Sequence, residues 1–397
     1  MWDVDPSYIQ SVKEIVEDAL FPEEGLDKDE VGHAGGVGGL VIVRDLDFYS
    51  YCESCMLPFY FKCHVGYVPS GQRVLGLSKL SRVTNVFAKR LQEPQRLANE
   101  VCSALHEGIQ PTGVAIVLEC KHIHSPDTES NLIDPNHKEV VGVLVSSGSG
   151  AFENKDADMW DDFFGLLKFR GIEKDRIHDK VKLDQCWCPS LYSSVAPKNE
   201  DINPNMVAAV ASILKSLGED PTKKELKGTP GRYTKWLMNF KCSSIDTMLN
   251  GSLQSGIQDA LHTDEKVGFE LHSELNLPFL SQCEHHLLPF HGVVHIGYFV
   301  SKGFHPIGKT FVQSIVHFYG FKLQVQERLT KQIAETISSL VGKNVIVVVE
   351  ASHTCMISRG IEKFGSNTAT IAALGCFSTD LAARAPFLES IPGPKPL

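Results

Sequence analysis

Cysteine and histidine side chains stand at two separated points in the second half of the chain, in a pattern that suits a metal ion. Cys283 and His286 are three residues apart, close enough to bind one ion from a single turn, and Cys355 follows much later. Three protein ligands of this type are typical of catalytic zinc, which keeps its fourth position open for water. His285 and His353 stand beside the ligands and could carry protons. The pattern therefore predicts a hydrolytic zinc site.

Other interpretations of these residues stay open at this point. The three ligand candidates could be buried thiols near a surface histidine. They could also form a structural zinc site, although such a site normally has four protein ligands and no fourth stands out. His285 and His353 could be ordinary polar residues at a turn.

A second candidate site lies in the first half of the chain. Ser78, Lys79 and Arg82 fall within about one turn of a predicted helix, where Lys79 and Arg82 share a face. A hydroxyl, an ammonium and a guanidinium at the start of a helix can hold phosphate groups. From the residues alone, a solvated basic turn is the simpler interpretation.

Size and composition limit the class of protein. The 397 residues suffice for two domains, and 43% hydrophobic and 22% charged residues are ordinary for a soluble protein. Eleven cysteines at irregular spacing favour reduced thiols and a metal site over a disulfide scaffold. The net charge of −10 argues against nucleic-acid binding through a broad basic surface.

No apolar stretch approaches the ~20 residues that a membrane helix needs. The acidic N-terminus resembles neither a secretion signal nor a transit peptide. We therefore expect a cytoplasmic protein that binds neither membrane nor nucleic acid.

The chain is a tandem repeat. Residues 57–60 and 63–67 match residues 288–291 and 294–298, and further blocks match at nearly the same shift of about 231 residues. We predict a first repeat over residues 1–180, an exposed linker over residues 181–203 and a second repeat over residues 204–397.

Hydrophobic periodicity predicts the elements of the second repeat. Strands are expected at residues 267–280, 291–300, 344–350 and 368–377. Helices are expected at residues 205–214 and 311–340, the latter broken near Gly320. The prediction is an α+β class, with an antiparallel four-stranded sheet and two helices on one face in each repeat. Because such sheets have exposed edges, we expect the domains to associate edge to edge.

Taken together, the motifs closely resemble GTP cyclohydrolase I, and the tandem arrangement resembles the plant form of that family. The shared motifs are Cys-Glu-His-His at residues 283–286, His-Ile-Gly-Tyr at 295–298, Gln-Val-Gln-Glu-Arg-Leu-Thr at 324–330 and His-Thr-Cys-Met at 353–356. Residues 218–221 and 229–232 also resemble the family's N-terminal helical region. The resemblance implies the tunnelling fold (T-fold), in which small α+β units form rings, and hence a homo-oligomer.

The resemblance also implies a reaction, the hydrolysis of GTP to formate and 7,8-dihydroneopterin triphosphate at the entry to pterin and tetrahydrofolate synthesis. Cys283, His286 and Cys355 would hold Zn²⁺. His353 would protonate the imidazole ring nitrogen of the purine as the ring opens, and His285 would shuttle protons.

Substrate-binding residues follow from the same resemblance. Glu327 would accept hydrogen bonds from the guanine edge, with Gln326 beside it, although a solvated helix face is the alternative for Glu327. Arg359, Arg232 and Lys235 would contact the triphosphate.

Neither repeat carries the complete set. The second repeat has Thr310, Phe311 and Ser314 at the positions of the phosphate candidates of the first repeat. The first repeat has Ser54 in place of His285 and Gln95 in place of Glu327. Because the losses are complementary, we predict one composite site, with zinc, proton transfer and base recognition from the second repeat and the phosphate clamp from the first.

Cysteine and histidine nevertheless fill the ligand positions of the first repeat, as Cys52, Cys55 and His124. A second, non-catalytic zinc is one interpretation, and loss of the metal is the other. No Thr-Pro-x-Arg segment precedes residues 19–22, so we expect this repeat to lack the family's N-terminal helices.

Two other functions stay open. One is a non-catalytic regulatory protein that binds GTP or a pterin and is derived from the enzyme. The other is a zinc hydrolase of the same fold with a different purine or pterin substrate. The complete ligand set with His285 and His353 argues against the first, and Glu327 argues against the second.

Overall fold

The computed structural model of the chain describes residues 12–17, 19–22, 39–70, 73–123, 140–177, 187–188, 202–240, 269–301, 306–361 and 366–393. These residues form two compact units. The first unit holds the described residues up to Tyr233, and the second holds those from Thr234 onward.

The first unit combines strands and helices. Its strands are β1 (Leu20–Pro22), β2 (Val41–Cys52), β3 (Pro58–Val68), β4 (Arg73–Leu75), β5 (Leu91–Gln92), β6 (Gly113–Ile123) and β7 (Val140–Gly150). Its helices are α1 (Val12–Glu17), α2 (Leu77–Ala88), α3 (Pro94–Ile109), α4 (Asp158–Lys168) and α5 (Pro204–Ser216). A further helix, α6 (Thr229–Asn239), contains the division between the units.

The second unit repeats this plan. Its strands are β8 (Phe269–Cys283), β9 (Pro289–Ser301), β10 (Leu323–Gln324), β11 (Val345–His353) and β12 (Thr368–Leu374). Its helices are α7 (Lys309–Gly320), α8 (Gln326–Val341), α9 (Thr354–Ile357), α10 (Cys376–Thr379) and α11 (Leu381–Ser390).

Each unit is built on a five-stranded sheet, with strand orders β5-β2-β3-β6-β7 and β10-β8-β9-β11-β12. Four strands of each sheet pair antiparallel, as predicted, but a two-residue strand adds a parallel fifth at one edge. The α+β class is therefore confirmed, and the four-stranded count is wrong. A two-residue strand is too short to show a periodicity in the sequence.

Helices cover both faces of the second sheet, whereas the sequence predicted helices on one face only. In β11, Val345 and Val347 pack in the cluster with α7 and α8, and the alternate residues Ile346 and Val348 pack with Phe387 of α11. Alternate side chains of a strand point to opposite faces, so α11 lies on the second face. The segment follows the last strand, where no helix was predicted.

An aromatic ring packs on a glycine at the same place in both sheets. A Cβ atom on Gly66 would lie 2.5 Å from the ring of Phe163 in α4, and one on Gly297 would lie 2.5 Å from the ring of Phe387. Both rings are fully buried. Glycine at this position therefore lets a further helix pack directly on the sheet.

The two sheets also share a strand irregularity. The pairing shifts between Val43 and Leu46 in β2 and between Glu274 and Leu277 in β8, which is a β-bulge in each strand. The bulged backbone N–H donates to a histidine Nδ1 in both cases, from Asp45 to His64 and from Asn276 to His295. The duplication thus extends to local hydrogen bonding.

Strand ends decide where the candidate site residues stand. β8 runs to Cys283 and β11 to His353, three residues beyond the predicted ends at 280 and 350. The predicted break near Gly320 is confirmed, because α7 ends there and α8 begins at Gln326. The candidate residues thus lie where strands of one sheet end.

The predicted exposed linker contains two buried residues. Trp187 and Cys188 are 3% and 0% exposed. The Trp187 ring packs edge-on against Phe59 and His122, with centroids 4.9 and 5.3 Å apart. The compact units do not test the predicted repeat boundary at residue 204, because they describe contacts and not duplication. Helix α5, which begins at that residue, belongs to the first compact unit.

Within the described ranges, no helix is long and apolar enough to cross a membrane.

Candidate metal and catalytic site

A tight turn after β8 presents two of the three predicted ligands. The Cys283 N–H donates to Leu288 O, and the Leu287 N–H donates to Cys283 O, both at 2.9 Å. Leu287 has a φ of 54°, in the left-handed region. The turn brings Nδ1 of His286 within 3.4 Å of Sγ of Cys283.

The third predicted ligand, Cys355, comes from α9, directly after β11. The hydroxyl of Thr354 donates to Pro289 O and so ties α9 to the start of β9. The ligand atoms of Cys283, His286 and Cys355 all lie within 4.8 Å of one another. Both cysteines are buried and the histidine is exposed, so the group opens to solvent on one side.

The donor set fits a metal ion such as zinc. Two sulfur atoms and one imidazole nitrogen are borderline-soft ligands that suit it. The partial desolvation of the largely exposed His286 ring lowers its pKa, with contributions from Arg359 and His285, which favours the neutral imidazole that binds metals. Burial and the neighbouring Cys283 raise the pKa of Cys355 to about 11, so a bound cation must displace the thiol proton.

His353, at the end of β11, is held on two sides. Its ring stacks on Phe290, with centroids 4.6 Å apart and planes 6° apart. Its Nε2 lies 2.8 Å from Oε1 of Gln326. The Gln326 amide nitrogen donates to the carbonyls of Val349 and Thr368 at 2.9 and 2.7 Å, so its oxygen must face His353. Nε2 therefore carries a hydrogen.

Gln326 contacts backbone carbonyls and His353, whereas the sequence predicted it beside the guanine-binding Glu327. It was predicted beside Glu327 on the guanine edge, but it is 2% exposed and both amide hydrogens go to carbonyls. These contacts favour a positioning role toward His353, and a direct contact with substrate stays a prediction. Glu327 is exposed in the first turn of α8.

His285 lies in the same turn as the ligands and is exposed. Its Nε2 is 3.8 Å from a carboxylate oxygen of Glu284. Glu284 in turn accepts a hydrogen bond from Nη2 of Arg328 in α8. The neighbouring carboxylate and its arginine partner were not foreseen from the sequence.

His291 is a further histidine of this region that the motifs did not mark. It stands in β9, paired with Ser352 of β11, the residue before His353. Burial lowers the pKa of His291 to about 4, with a contribution from His353. It is therefore neutral near pH 7. A single histidine within a strand carries no spacing signal that would have identified it.

The predicted phosphate contacts lie on several elements. Arg359 is exposed, and its Nε donates to Cys355 O at 2.7 Å. Arg232, on α6, donates from Nε to Ser54 O and from Nη2 to the Thr229 hydroxyl, so it lies against the turn after β2 in the first unit. Lys235, half-buried, is also on α6.

The first turns of α2 carry the other predicted phosphate contacts. Ser78 and Arg82 are exposed and Lys79 is half-buried. The predicted start of a helix is confirmed here, and binding of phosphate by these residues stays a prediction.

Buried cysteine and histidine atoms also gather in the first unit, but not all of them are the predicted ones. The ligand atoms of Cys52, Cys55, His122 and Cys188 lie within 4.8 Å of one another. His124, the predicted third ligand, lies outside the described residues. The shift of about 231 residues could have identified His122, since it matches His353, but Cys188 carried no signal.

Comparison with known proteins agrees with the site and the duplication. The sequence matches the family model of GTP cyclohydrolase I over residues 16–147 and 206–392. GTP cyclohydrolase 1 of Solanum lycopersicum is 61% identical over 385 residues, which cover 97% of this chain and 83% of the relative. GTP cyclohydrolase 1 of Arabidopsis thaliana is 58% identical over 387 residues, covering 97% of this chain and 82% of the relative.

A relative from an animal matches half of the chain. GTP cyclohydrolase 1 of Homo sapiens is 42% identical over 200 residues, which cover 49% of this chain and 76% of the relative. The plant relatives, in contrast, match almost the whole of it. With the family matched in both repeats, the chain belongs to the GTP cyclohydrolase I family, in the tandem form of the plant proteins.

Proposed function

We propose that the chain hydrolyses GTP to formate and 7,8-dihydroneopterin triphosphate, the first step of pterin and tetrahydrofolate synthesis. One observation carries the proposal: in a member of this family, Cys283, His286 and Cys355 gather within 4.8 Å in the same sheet-end region as a positioned His353. The two rival functions are not favoured, because this group of residues is complete.

Zn²⁺ is the ion that we assign to Cys283, His286 and Cys355. Two thiolates and one imidazole suit it, and three protein ligands leave a coordination position for water or substrate. When bound, the ion would supply Lewis acidity, which lowers the pKa of water toward ~7 and polarises the substrate.

Proton transfer falls to His353 and His285. The Gln326 oxygen fixes the hydrogen on Nε2 of His353, so the proton that His353 exchanges with the purine ring moves at Nδ1. His285 is exposed, with Nε2 3.8 Å from a carboxylate oxygen of Glu284, and this position suits a proton shuttle between substrate and solvent.

Guanine recognition is assigned to Glu327. Its carboxylate is exposed at the start of α8 and can accept hydrogen bonds from two N–H donors of guanine. Adenine does not present those donors, so the carboxylate would discriminate between the two bases.

Triphosphate binding is assigned to residues of both repeats. Ser78, Lys79 and Arg82 of the first repeat supply a hydroxyl and two cations that Thr310, Phe311 and Ser314 of the second do not. Arg359, Arg232 and Lys235 would add further positive charge. The complementary losses in the two repeats support this part of the proposal.

The expected setting is a cytoplasmic homo-oligomer with the tunnelling fold, joined through sheet edges. β7 and β12 stand at the ends of their sheet orders, so each could pair with a further strand. Sedimentation of the purified chain would test the oligomer.

Formate release from GTP by the zinc-loaded full-length chain tests the reaction. We expect formate together with a pterin that becomes fluorescent on oxidation. Cys355→Ala should abolish both products, and Cys376→Ala, a half-buried cysteine of α10, is the matched control. GTP binding without turnover would favour the regulatory protein, and turnover of another purine but not GTP would favour the other hydrolase.

A further inference from the structure

The first unit contains a second group of metal-ligand atoms that the proposed reaction does not use. Sγ atoms of Cys52, Cys55 and Cys188 and a ring nitrogen of His122 lie within 4.8 Å of one another. All four residues are 0% exposed. Three thiols and an imidazole gathered inside a core suit a bound cation, because buried polar groups are hydrogen-bonded or coordinate metals.

The turn that carries Cys52 and Cys55 has the same geometry as the metal turn of the second unit. The Cys52 N–H donates to Leu57 O at 2.9 Å, and the Met56 N–H donates to Cys52 O at 2.7 Å. Met56 has a φ of 59°, as Leu287 has 54° in the second unit. The first repeat thus keeps a backbone built to present two ligands from positions three apart.

His122 stands where the second unit has His353. It pairs with Phe59 in the strand register, and His353 pairs with Phe290 at the same place in the other sheet. Its surroundings differ, because α3 begins with Pro94 where α8 begins with Gln326. A proline offers no amide that could orient the ring.

The His122 ring is oriented for ligation instead. Its Nδ1 lies 2.7 Å from Ile123 O, and a carbonyl can only accept, so Nδ1 carries the hydrogen. In the neutral imidazole, the form that binds a metal, the lone pair is then on Nε2, which lies 3.3 Å from Sγ of Cys55. A backbone carbonyl that fixes the tautomer in this way is the usual partner of a metal-binding histidine.

Cys188 closes the group. It comes from the segment that the sequence predicted as an exposed linker, and the neighbouring Trp187 ring packs edge-on against Phe59 and His122. Among the described residues, the group in the second unit has three such members, one of them an exposed histidine, whereas this group has four and all are buried. Four protein ligands in a core leave no position for water, which is the arrangement of structural zinc sites.

We propose that the first repeat binds a structural Zn²⁺ ion through Cys52, Cys55, His122 and Cys188. Thiolates around tetrahedral zinc lie about 3.8 Å apart, given Zn–S bonds near 2.3 Å. Ligand atoms within 4.8 Å of one another reach that separation with small shifts. Zinc is preferred over calcium or magnesium because three sulfur ligands do not suit those ions.

The ion would join three parts of the first unit: the turn after β2, the end of β6 and the segment at residues 187–188. The same turn anchors α6, because the hydroxyl of Thr229 donates to Glu53 O and Nε of Arg232 donates to Ser54 O. A metal ion at this site would therefore stabilise the turn that accepts the hydrogen bond from Arg232.

Metal content of the full-length protein tests the proposal without any assay of turnover. We expect two zinc ions per chain in the wild type and one in His286→Ala, which disrupts only the site in the second unit. X-ray absorption at the zinc edge of His286→Ala should show three sulfur ligands and one nitrogen. Zinc-free His286→Ala, or zinc with two sulfur ligands, would overturn the proposal.

A variant of the closing ligand completes the test. Cys188→Ala should lose one of the two zinc ions and unfold at a lower temperature, whereas Cys102→Ser should keep both. Cys102 is the matched control because it is a buried thiol of the same unit that points at Val114 O and the Ser149 hydroxyl. Two zinc ions in Cys188→Ala would contradict the assignment, as would one zinc in the wild type with a disulfide among Cys52, Cys55 and Cys188.

Discussion

The two turns that follow β2 and β8 share a backbone but differ in what surrounds them. Both carry a glutamate that pairs with an arginine of the second helix after the turn, Glu53 with Arg96 of α3 and Glu284 with Arg328 of α8. In the second unit the neighbouring ligand His286 is exposed, whereas the first unit buries every member of its group. We therefore expect reactivity to depend on the residues around the turn, since a similar turn carries an open group in one unit and a closed group in the other.

The histidine at the end of the third long strand shows the same contrast. The side-chain amide of Gln326 holds Nε2 of His353. A backbone carbonyl holds His122 with its Nε2 among sulfur atoms. If the two proposals hold, one position in the fold serves proton transfer in one unit and metal binding in the other, according to which partner fixes the hydrogen on the ring.

The largest expected effect separates the two sites by function. Cys355→Ala should lower formate release by on the order of 10³-fold or more, because Lewis-acid stabilisation is worth several kcal/mol. Its thermal stability should change less than that of Cys188→Ala. Formate assays measure the activity of both variants, and calorimetry measures their unfolding temperatures. If folded Cys188→Ala lost as much activity as Cys355→Ala, the distinction between an open catalytic site and a closed structural site would be wrong.

The next effect concerns the positioning of His353. Gln326→Leu should lower kcat by about 10- to 100-fold with little change in KM, as is usual when the partner of a reacting or ligating histidine is removed. Gln313→Leu is the matched control, since Gln313 is also buried, donates to Pro278 O and contacts His317. A similar fall in kcat for both variants would mean that Gln326 acts only through stability.

The division of labour between the repeats predicts an effect on binding. Lys79→Ala should raise the KM for GTP by about 10-fold or more, because a charge-assisted contact to phosphate contributes about 1.5–3 kcal/mol. Lys168→Ala, an exposed lysine of α4 in the same unit, should leave KM unchanged. Steady-state kinetics at varied GTP concentration measure the KM of both variants. An unchanged KM for Lys79→Ala would contradict the assignment of phosphate binding to the first repeat.

The smallest effect is a pH dependence in the second unit. The pKa of His291 falls from 6.5 to about 4 on folding, so the unfolded chain binds the proton more readily between these values. This contribution to stability is fully present above about pH 6.5 and is lost as the pH falls toward 4. His291→Asn should therefore flatten the decline in unfolding temperature over that range, and an unchanged slope would contradict the assignment.

Sequence reasoning succeeded where a signal repeats or has a period. Spacing predicted that Cys283, His286 and Cys355 belong together, and the structure brings their ligand atoms within 4.8 Å of one another. Periodicity predicted a break near Gly320, and the structure ends α7 there. The parallel strand β5 escaped detection because two residues carry no periodicity.

The first-unit group shows why other parts could not be predicted. Matching positions between repeats pointed to His124, because it stands where the last cysteine of the second repeat stands. The structure gathers His122, whose role depends on which partner the ring has, and His124 lies outside the described residues. Cys188 could not be matched at all, since it lies in a stretch without periodicity, and burial of that stretch depends on tertiary packing.

The difference in burial between the two groups also bears on how the protein would respond to scarce zinc. An ion held by ligands sealed in a core would be released only when the surrounding structure opens, whereas an ion held by the exposed His286 would exchange directly with solvent. A chain short of zinc would then empty the exposed group first and stay folded. Such a population would be inactive yet ready to resume work as soon as the ion returned, with no need for new synthesis.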